Sequence, residues 1–426
     1  MKLLFPYLCL LAVSVQAQTR VIEDSSRSVI IPIYNNKQIS GYAKMSVKNR
    51  ISHYDLMDDQ WHPLLTIEID GPALFGVDAA QNGEQICLTY HDRMGFTIGF
   101  YKVGQSTPVR EYKQDRCGGF HQVISVPGKG FACLNGTQLE WFNVNGDSVT
   151  TVDFLYRPLN RDSRLDIDMI TYNGDVYFLQ DELIRFNPET ASLHKQAIPK
   201  TDVRGHLLNL WGMALDPVTG RPYISAGIYN SAGGPPPLRH AETTSIITDL
   251  RNCYEGICTM EIDNGLKSHF TYWNLGTDTF FYPMVLRRDF KRQTMLVGLN
   301  IVKNEKMYNF GDPVVLTIDS TDAIVRRDYV EMAHRKTDGR TEMWRFVYQE
   351  LKSFWKDGEL YLWTDDQEKE RLYSVSERKV VDVADKHPDI CREVWFSKGG
   401  NVLIIADDKR RNIRQYTMHP IDTRIP

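Results

Sequence analysis

Two aspartates two residues apart, Asp166 and Asp168, are the first candidates for metal chemistry in this chain. Alternate residues of a strand share a face, so the pair would present two carboxylates on one side, as hard oxygen donors suited to Ca2+. Glu393 is a third candidate ligand. A second group mixes rings with charge: Phe120, His121, His206, Trp211, Tyr282, Arg345 and Arg392. Rings of this kind stack on ligand rings while Arg and His fix orientation, which suits a small polar or aromatic ligand. Nucleophilic hydrolysis has no footing, because the chain contains no Gly-x-Ser-x-Gly elbow, and nucleotide hydrolysis has none, because no glycine-rich loop is present to cradle phosphate.

The elements that would position these residues are legible as a repeat. A short apolar strand, a tight turn rich in Gly, Asp, Asn or Lys, and a second apolar strand recur at 76–88, 123–134, 169–179, 212–225, 285–297, 354–363 and 394–405. Such turns supply the positive or fixed φ that a tight reversal needs. Between most copies lies a second hairpin, with turns near Asn145-Gly146, Asn187-Pro188, Asn264-Gly265 and Ser320-Thr321. Two hairpins per repeat make a four-stranded antiparallel blade. Glycines 83, 130, 174 and 220 recur at the spacing of propeller repeats. A β-sandwich would also give many short strands, but it does not restart one hairpin register every forty-odd residues.

The expected fold is therefore all-β, a β-propeller of seven four-stranded blades, with six or eight as the alternatives. The strand-like stretch Ser28 to Tyr34 is expected to close the ring by joining the last blade, which removes an exposed sheet edge. Long loops are expected on the face opposite the tight turns, at Ile228 to His240, Lys303 to Asp312 and Glu331 to Arg345. Binding residues usually sit on such loops. The aromatic, His and Arg set, with Asp166, Asp168 and Glu393, falls at the starts of innermost strands and would ring the channel mouth on that face.

Gly212-Met213-Ala214-Leu215-Asp216-Pro217 and Gly399-Gly400-Asn401-Val402-Leu403-Ile404-Ile405-Ala406-Asp407 resemble repeats of the broad group containing NHL, lactonase-like and yellow/royal-jelly propellers. The resemblance implies the fold and a ligand site at one face. Lactonase-like propellers hold a divalent ion in the channel. Where that family carries Glu-Gly-Pro and Pro-Asn-Gly, however, this chain has Asp70-Gly71-Pro72 and Trp211-Gly212-Met213.

Compartment is read from the first residues. Met1-Lys2, an apolar run from Leu3 to Val15 and the small residue Ala17 read as a signal peptide over 1–17, leaving 18–426 as a single propeller domain. The run is too short to span a membrane, which takes about 20 apolar residues. Six cysteines then remain, an even count that favours disulfides in an exported chain, and Cys253 with Cys258 is one candidate pair among 15 connectivities. Asn135-Gly136-Thr137 is a glycosylation acceptor that would need an exposed turn.

Fifty Lys and Arg against 54 Asp and Glu give a net charge of -4, with no basic excess to neutralise a phosphate backbone. Neither nucleic acid nor membrane is expected as a partner. The expected function is that of a secreted propeller binding a small-molecule ligand or an extracellular protein through its long-loop face and channel, without catalysis or cofactor. The alternative is a calcium-dependent hydrolase or lactonase using Asp166, Asp168 and Glu393.

Overall fold

The computed structural model describes residues 20–24, 28–36, 38–48, 51–70, 78–92, 95–114, 121–135, 137–156, 168–216, 220–229, 256–262, 265–272, 279–288, 294–304, 307–319, 324–329, 353–356, 359–365, 369–374, 379–385, 390–396, 401–408 and 413–420. Among these residues every regular element is a strand, 32 in all, arranged in eight four-stranded antiparallel sheets. Seven sheets take four consecutive strands each: β2–β5 (29–70), β6–β9 (78–114), β10–β13 (121–153), β14–β17 (169–197), β18–β21 (207–272), β22–β25 (279–329) and β26–β29 (353–385). The eighth pairs β30–β32 (390–420) with β1 (Arg20–Asp24), which runs antiparallel to β32 (Ile413–Pro420).

Each of the seven hairpins read in the sequence supplies the first two strands of a sheet, from the second to the eighth. The eighth sheet, beyond the seven expected, is the first along the chain. Residues Val29–Asn35 do not join the last sheet but open a sheet of their own, pairing with β3 (Gln38–Lys48). Arg20–Asp24 takes the terminal position instead. The turn at the head of that missed hairpin carries no glycine; Asn36 takes the left-handed conformation there, at φ 50°, which asparagine tolerates better than most residues. The glycine-marked turns behave as read. Asn173 and Gly174 both have positive φ, 50° and 80°, giving the primed two-residue reversal that fits the twist of its strands.

The sheets stack face to face, so strands buried on both sides lose the alternation of a half-solvated sheet. β11 (Gly130–Asn135) is buried at every position. Along the first five sheets each seam holds its own apolar cluster. Ile33, Leu56 and Ile67 meet Ile86 and Tyr90 between the first two sheets, and Phe96 and Phe100 meet Phe131 and Phe142 in the next seam. Ile124, Leu134 and Trp141 meet Phe178 and Phe186, and Leu179 and Leu183 meet Met213, Ile224 and Met260, in the two after that. First strands of these five sheets touch in succession, β2 to β6 to β10 to β14 to β18, so they line the axis.

Polar clasps tie neighbouring sheets at both ends of these strands. At the tight turns, Asn82 Nδ2 donates to the carbonyls of Val126 (2.8 Å) and Gly130 (3.1 Å), and its Oδ1 accepts from Gly128 N–H at 3.0 Å. At the opposite end, Asp78 Oδ2 accepts from Val123 N–H at 2.7 Å. Asp168 repeats the device two sheets on, accepting from Met213 N–H at 3.2 and 3.3 Å. Both clasps join residues 45 apart.

One turn reaches across the axis. Asn36 Oδ1 accepts from Thr171 N–H (2.7 Å) and hydroxyl (3.3 Å), and Asn35 Nδ2 donates to Ser125 Oγ at 3.4 Å, so the first sheet touches the third and fourth directly. Thr171 is buried, and an acceptor lost there orphans its N–H. Asn36→Ala is expected to cost about 2 kcal/mol of stability. Asn36→Gly keeps the positive φ without the acceptor; urea unfolding should show it losing most of what Asn36→Ala loses, the remainder being the strain of a left-handed alanine, and a Gly variant as stable as the parent would assign the whole effect to backbone strain.

Candidate functional site

The first strands place half of the residues read as channel-lining. His121 opens β10 (His121–Val126), Trp211 lies in β18 (Leu207–Leu215), Tyr282 in β22 (Thr279–Arg288), and Arg392 with Glu393 in β30 (Ile390–Phe396). Only the backbone of these five is described. Phe120, Arg345, Asp166 and Cys253 lie outside the described residues, as do Ile228 to His240 beyond Tyr229 and Glu331 to Arg345. The described residues of Lys303 to Asp312 are strand, not loop, with Lys303 opposite Tyr308 and Asn304 opposite Met307.

Asp168, read as a calcium ligand, is buried, and its carboxylate is turned to a backbone N–H of the neighbouring sheet. Among the described residues no three His, Cys, Asp or Glu side chains stand together as a metal would require. The exposed turn expected at Asn135 is also not found. Asn135 closes β11 with 5% of its surface exposed, its Nδ2 donating to Gln114 Oε1 and, at 3.3 Å, to Glu140 Oε1. An amide held this way is not presented for glycosylation. Cys258 is a buried free thiol within β20 (Gly256–Ile262).

His206 belongs to a compact turn before β18. Asp202 Oδ1 accepts from the backbone N–H groups of Arg204 (2.9 Å) and His206 (2.7 Å), while Tyr272 Oη donates to its Oδ2 at 2.8 Å. The Arg204 guanidinium lies 3.5 Å from the centre of the Tyr272 ring, a cation–π contact. Burial raises the Asp202 carboxyl, but the Tyr272 hydrogen bond, the two backbone donors and the His206 charge outweigh it and hold the group below its ordinary value. Burial and the nearby Asp202 charge push the Cys258 thiol up to about 12. This turn is tied to Tyr272 of the fifth sheet, and the Asp202 carboxylate is engaged by that set of donors.

A better opening lies in the seam between the fourth and fifth sheets, at the tight-turn end. A cleft of about 450 Å3 is lined by Tyr172, Tyr177, Arg185, His194 and Lys195 from the fourth sheet and by Ile262 and Gly265 from the fifth. Register explains the gathering: Tyr177, Arg185 and His194 are direct cross-strand neighbours on one face, so three strands contribute to a single row. Below the row the seam is apolar and shut, by Leu179 and Leu183 against Ile224 and Met260.

At the cleft Arg185 is anchored. Its Nε and Nη2 lie 2.6 and 2.5 Å from Asp175 Oδ2, and Asp175 Oδ1 accepts from Asn187 Nδ2 at 2.9 Å. The Asp175 side chain is buried at 5% exposure while that of Arg185 is 48% exposed. Two nitrogens are thus held by the buried carboxylate while half of the side chain stays exposed at the cleft it lines, a fork able to take an oxyanion. With Lys195 the lining carries two fixed positive charges against one carboxylate.

No sequence motif marks this cleft, because its residues are central in strands. The signal was there in Arg185, a charge in mid-strand of β16 (Glu182–Asn187) with Asp175 at the start of the strand beside it.

No family model matches the chain, and no curated protein does. Among solved structures it is similar to BamB from Moraxella catarrhalis, with a TM-score of 0.46 and 6% identity over 96% of this chain and 100% of that one. It is similar to the dihydro-heme d1 dehydrogenase NirN in complex with DHE, at 0.44 and 11% over 93% and 74%. A third likeness is to virginiamycin B lyase from Staphylococcus aureus with quinupristin, at 0.39 and 8% over 94% and 100%.

Proposed function

We propose that this chain is an exported, non-catalytic propeller that binds a small molecule in the seam between its fourth and fifth sheets. The ligand carries a carboxylate or phosphate beside an aromatic or apolar body. The observation that supports this reading is the half-exposed Arg185 fork, held rigid by a buried carboxylate at the rim of a cleft walled by Tyr172, Tyr177, Leu183 and Ile262. A fixed fork loses little side-chain freedom on binding, and the rings supply apolar contact. The exported part of this proposal rests on the leader-like residues 1–17. No helix among the described residues is long and apolar enough to cross a membrane.

The test is a titration of the purified full chain with benzoate, phenyl phosphate and benzyl alcohol, followed by ligand-observed NMR. The two anions should bind and the neutral alcohol should not. Arg185→Ala should weaken the anions about tenfold or more, the loss of one charge-assisted contact of roughly 1.4 kcal/mol or above. Equal binding to the variant would remove the cleft from consideration. Native mass spectrometry of the protein from its source addresses the ligand itself: an organic mass lost on denaturation supports a bound small molecule, whereas a bare polypeptide would turn the reading towards a protein partner on the long-loop face.

A further inference from the structure

Two thiols face each other across the seam between the second and third sheets. Cys87 lies in β7 (Gln85–Asp92), opposite Ala80 and Phe100, and Cys133 lies in β11, opposite Val123 and Glu140. Both are buried and free, and their sulfurs are 3.7 Å apart. A disulfide needs about 2.05 Å, so each sulfur must move by less than about 1 Å, which a small rotation at each side chain provides. No third His, Cys, Asp or Glu completes a metal site around them among the described residues.

We infer that Cys87 and Cys133 form a disulfide that staples the second sheet to the third. The oxidant is a disulfide of the secretory compartment, protein-borne or glutathione. The Cys87 thiolate attacks one sulfur of that disulfide, whose S–S bond breaks to release one thiol; the Cys133 thiolate then attacks Cys87 Sγ of the mixed disulfide and expels the second thiol. Two cysteines are oxidised, two oxidant sulfurs are reduced, and the two protons leave on the released thiols. Burial, then contact with Cys87, pushes the Cys133 thiol up in the folded state, and Phe96, Phe100, Phe131 and Phe142 exclude solvent. The reaction therefore belongs to folding, before the seam shuts.

The inference draws its oxidant from the exported reading, and the test separates the two. The full chain is synthesised in a cell-free system containing a glutathione redox pair, its soluble fraction is unfolded and alkylated without reduction, and the product is digested with trypsin. Cleavage places Cys87 in 51–93, Cys117 in 117–129 and Cys133 in 130–161, so the three are resolved. The expected result is a linked 51–93/130–161 species, about 2 Da lighter than the sum of its reduced halves, and alkylated Cys133 in Cys87→Ser. Alkylation of both thiols in the parent, or linkage of Cys133 to Cys117 instead, overturns the pairing. The same linkage in cell-free product but not in protein from the native source would keep the pairing and sink export.

Discussion

Raising the pH from about 5 to about 8 is expected to destabilise this protein by roughly 2.5 kcal/mol through one carboxyl group, Asp78. Asp78 opens β6 (Asp78–Asn82) at the seam of the second and third sheets, where its oxygens accept the N–H groups of Val123 at 2.7 Å and of Ala79 at 2.9 Å. Burial pushes the carboxyl up to about 7, and these two hydrogen bonds only partly offset that rise. In the unfolded chain the same group titrates near 3.8. The native state therefore holds a proton that the unfolded state has released between those two values, and stability falls as the pH climbs through that window. The contribution is complete below about 3.8 and gone above about 7, a full span of roughly 4 kcal/mol. Guanidinium midpoints across this range measure it. Asp78→Asn removes the titration and should flatten the curve relative to the parent, whereas an unchanged slope in the variant would show that other groups carry it.

The position of Asp78 shows what a repeat-based reading can and cannot recover. Seven hairpins were legible because Gly, Asp and Asn punctuate them, and each marks the entry to a sheet. The first sheet escaped because Asn35-Asn36-Lys37 turns without a glycine, and because Val-Ile-Ile-Pro-Ile reads equally well as a closing strand. The strand that does join the last sheet, Arg20–Asp24, is too short and too polar to announce itself. At Asp168 the residue type points to a ligand, and the structure shows what the sequence could not, a backbone N–H 45 residues onward that donates to this carboxylate. The cleft was hidden for a different reason. Cross-strand rows bring Tyr177, Arg185 and His194 together, and such rows exist only once register is fixed.

Asp168 separates a structural clasp from a metal site by a single substitution. Its carboxylate meets Met213 N–H at 3.2 and 3.3 Å, its own N–H donates to Tyr156 Oη at 2.9 Å, and its carbonyl accepts from Leu179 N–H at 2.9 Å. Tyr156 Oη also reaches the Leu179 carbonyl at 3.3 Å, so the entry to the fourth sheet is gripped from both neighbours. Gly212 comes so close that an added Cβ would stand 3.1 Å from Asp168 Oδ2, which leaves little room for the carboxylate to swing elsewhere. Truncation in Asp168→Ala orphans the buried Met213 N–H and removes a charge-assisted bond, so the expected loss is about 3 kcal/mol. Asp168→Asn can still offer one oxygen and should lose less. A clasp predicts that neither the parent nor the variants shift in melting temperature when EDTA is added, since no bound ion stabilises the native state. A parent that melts earlier with EDTA, and an Asp168→Asn variant that no longer does, would instead make this carboxylate a calcium ligand and restore the hydrolase reading.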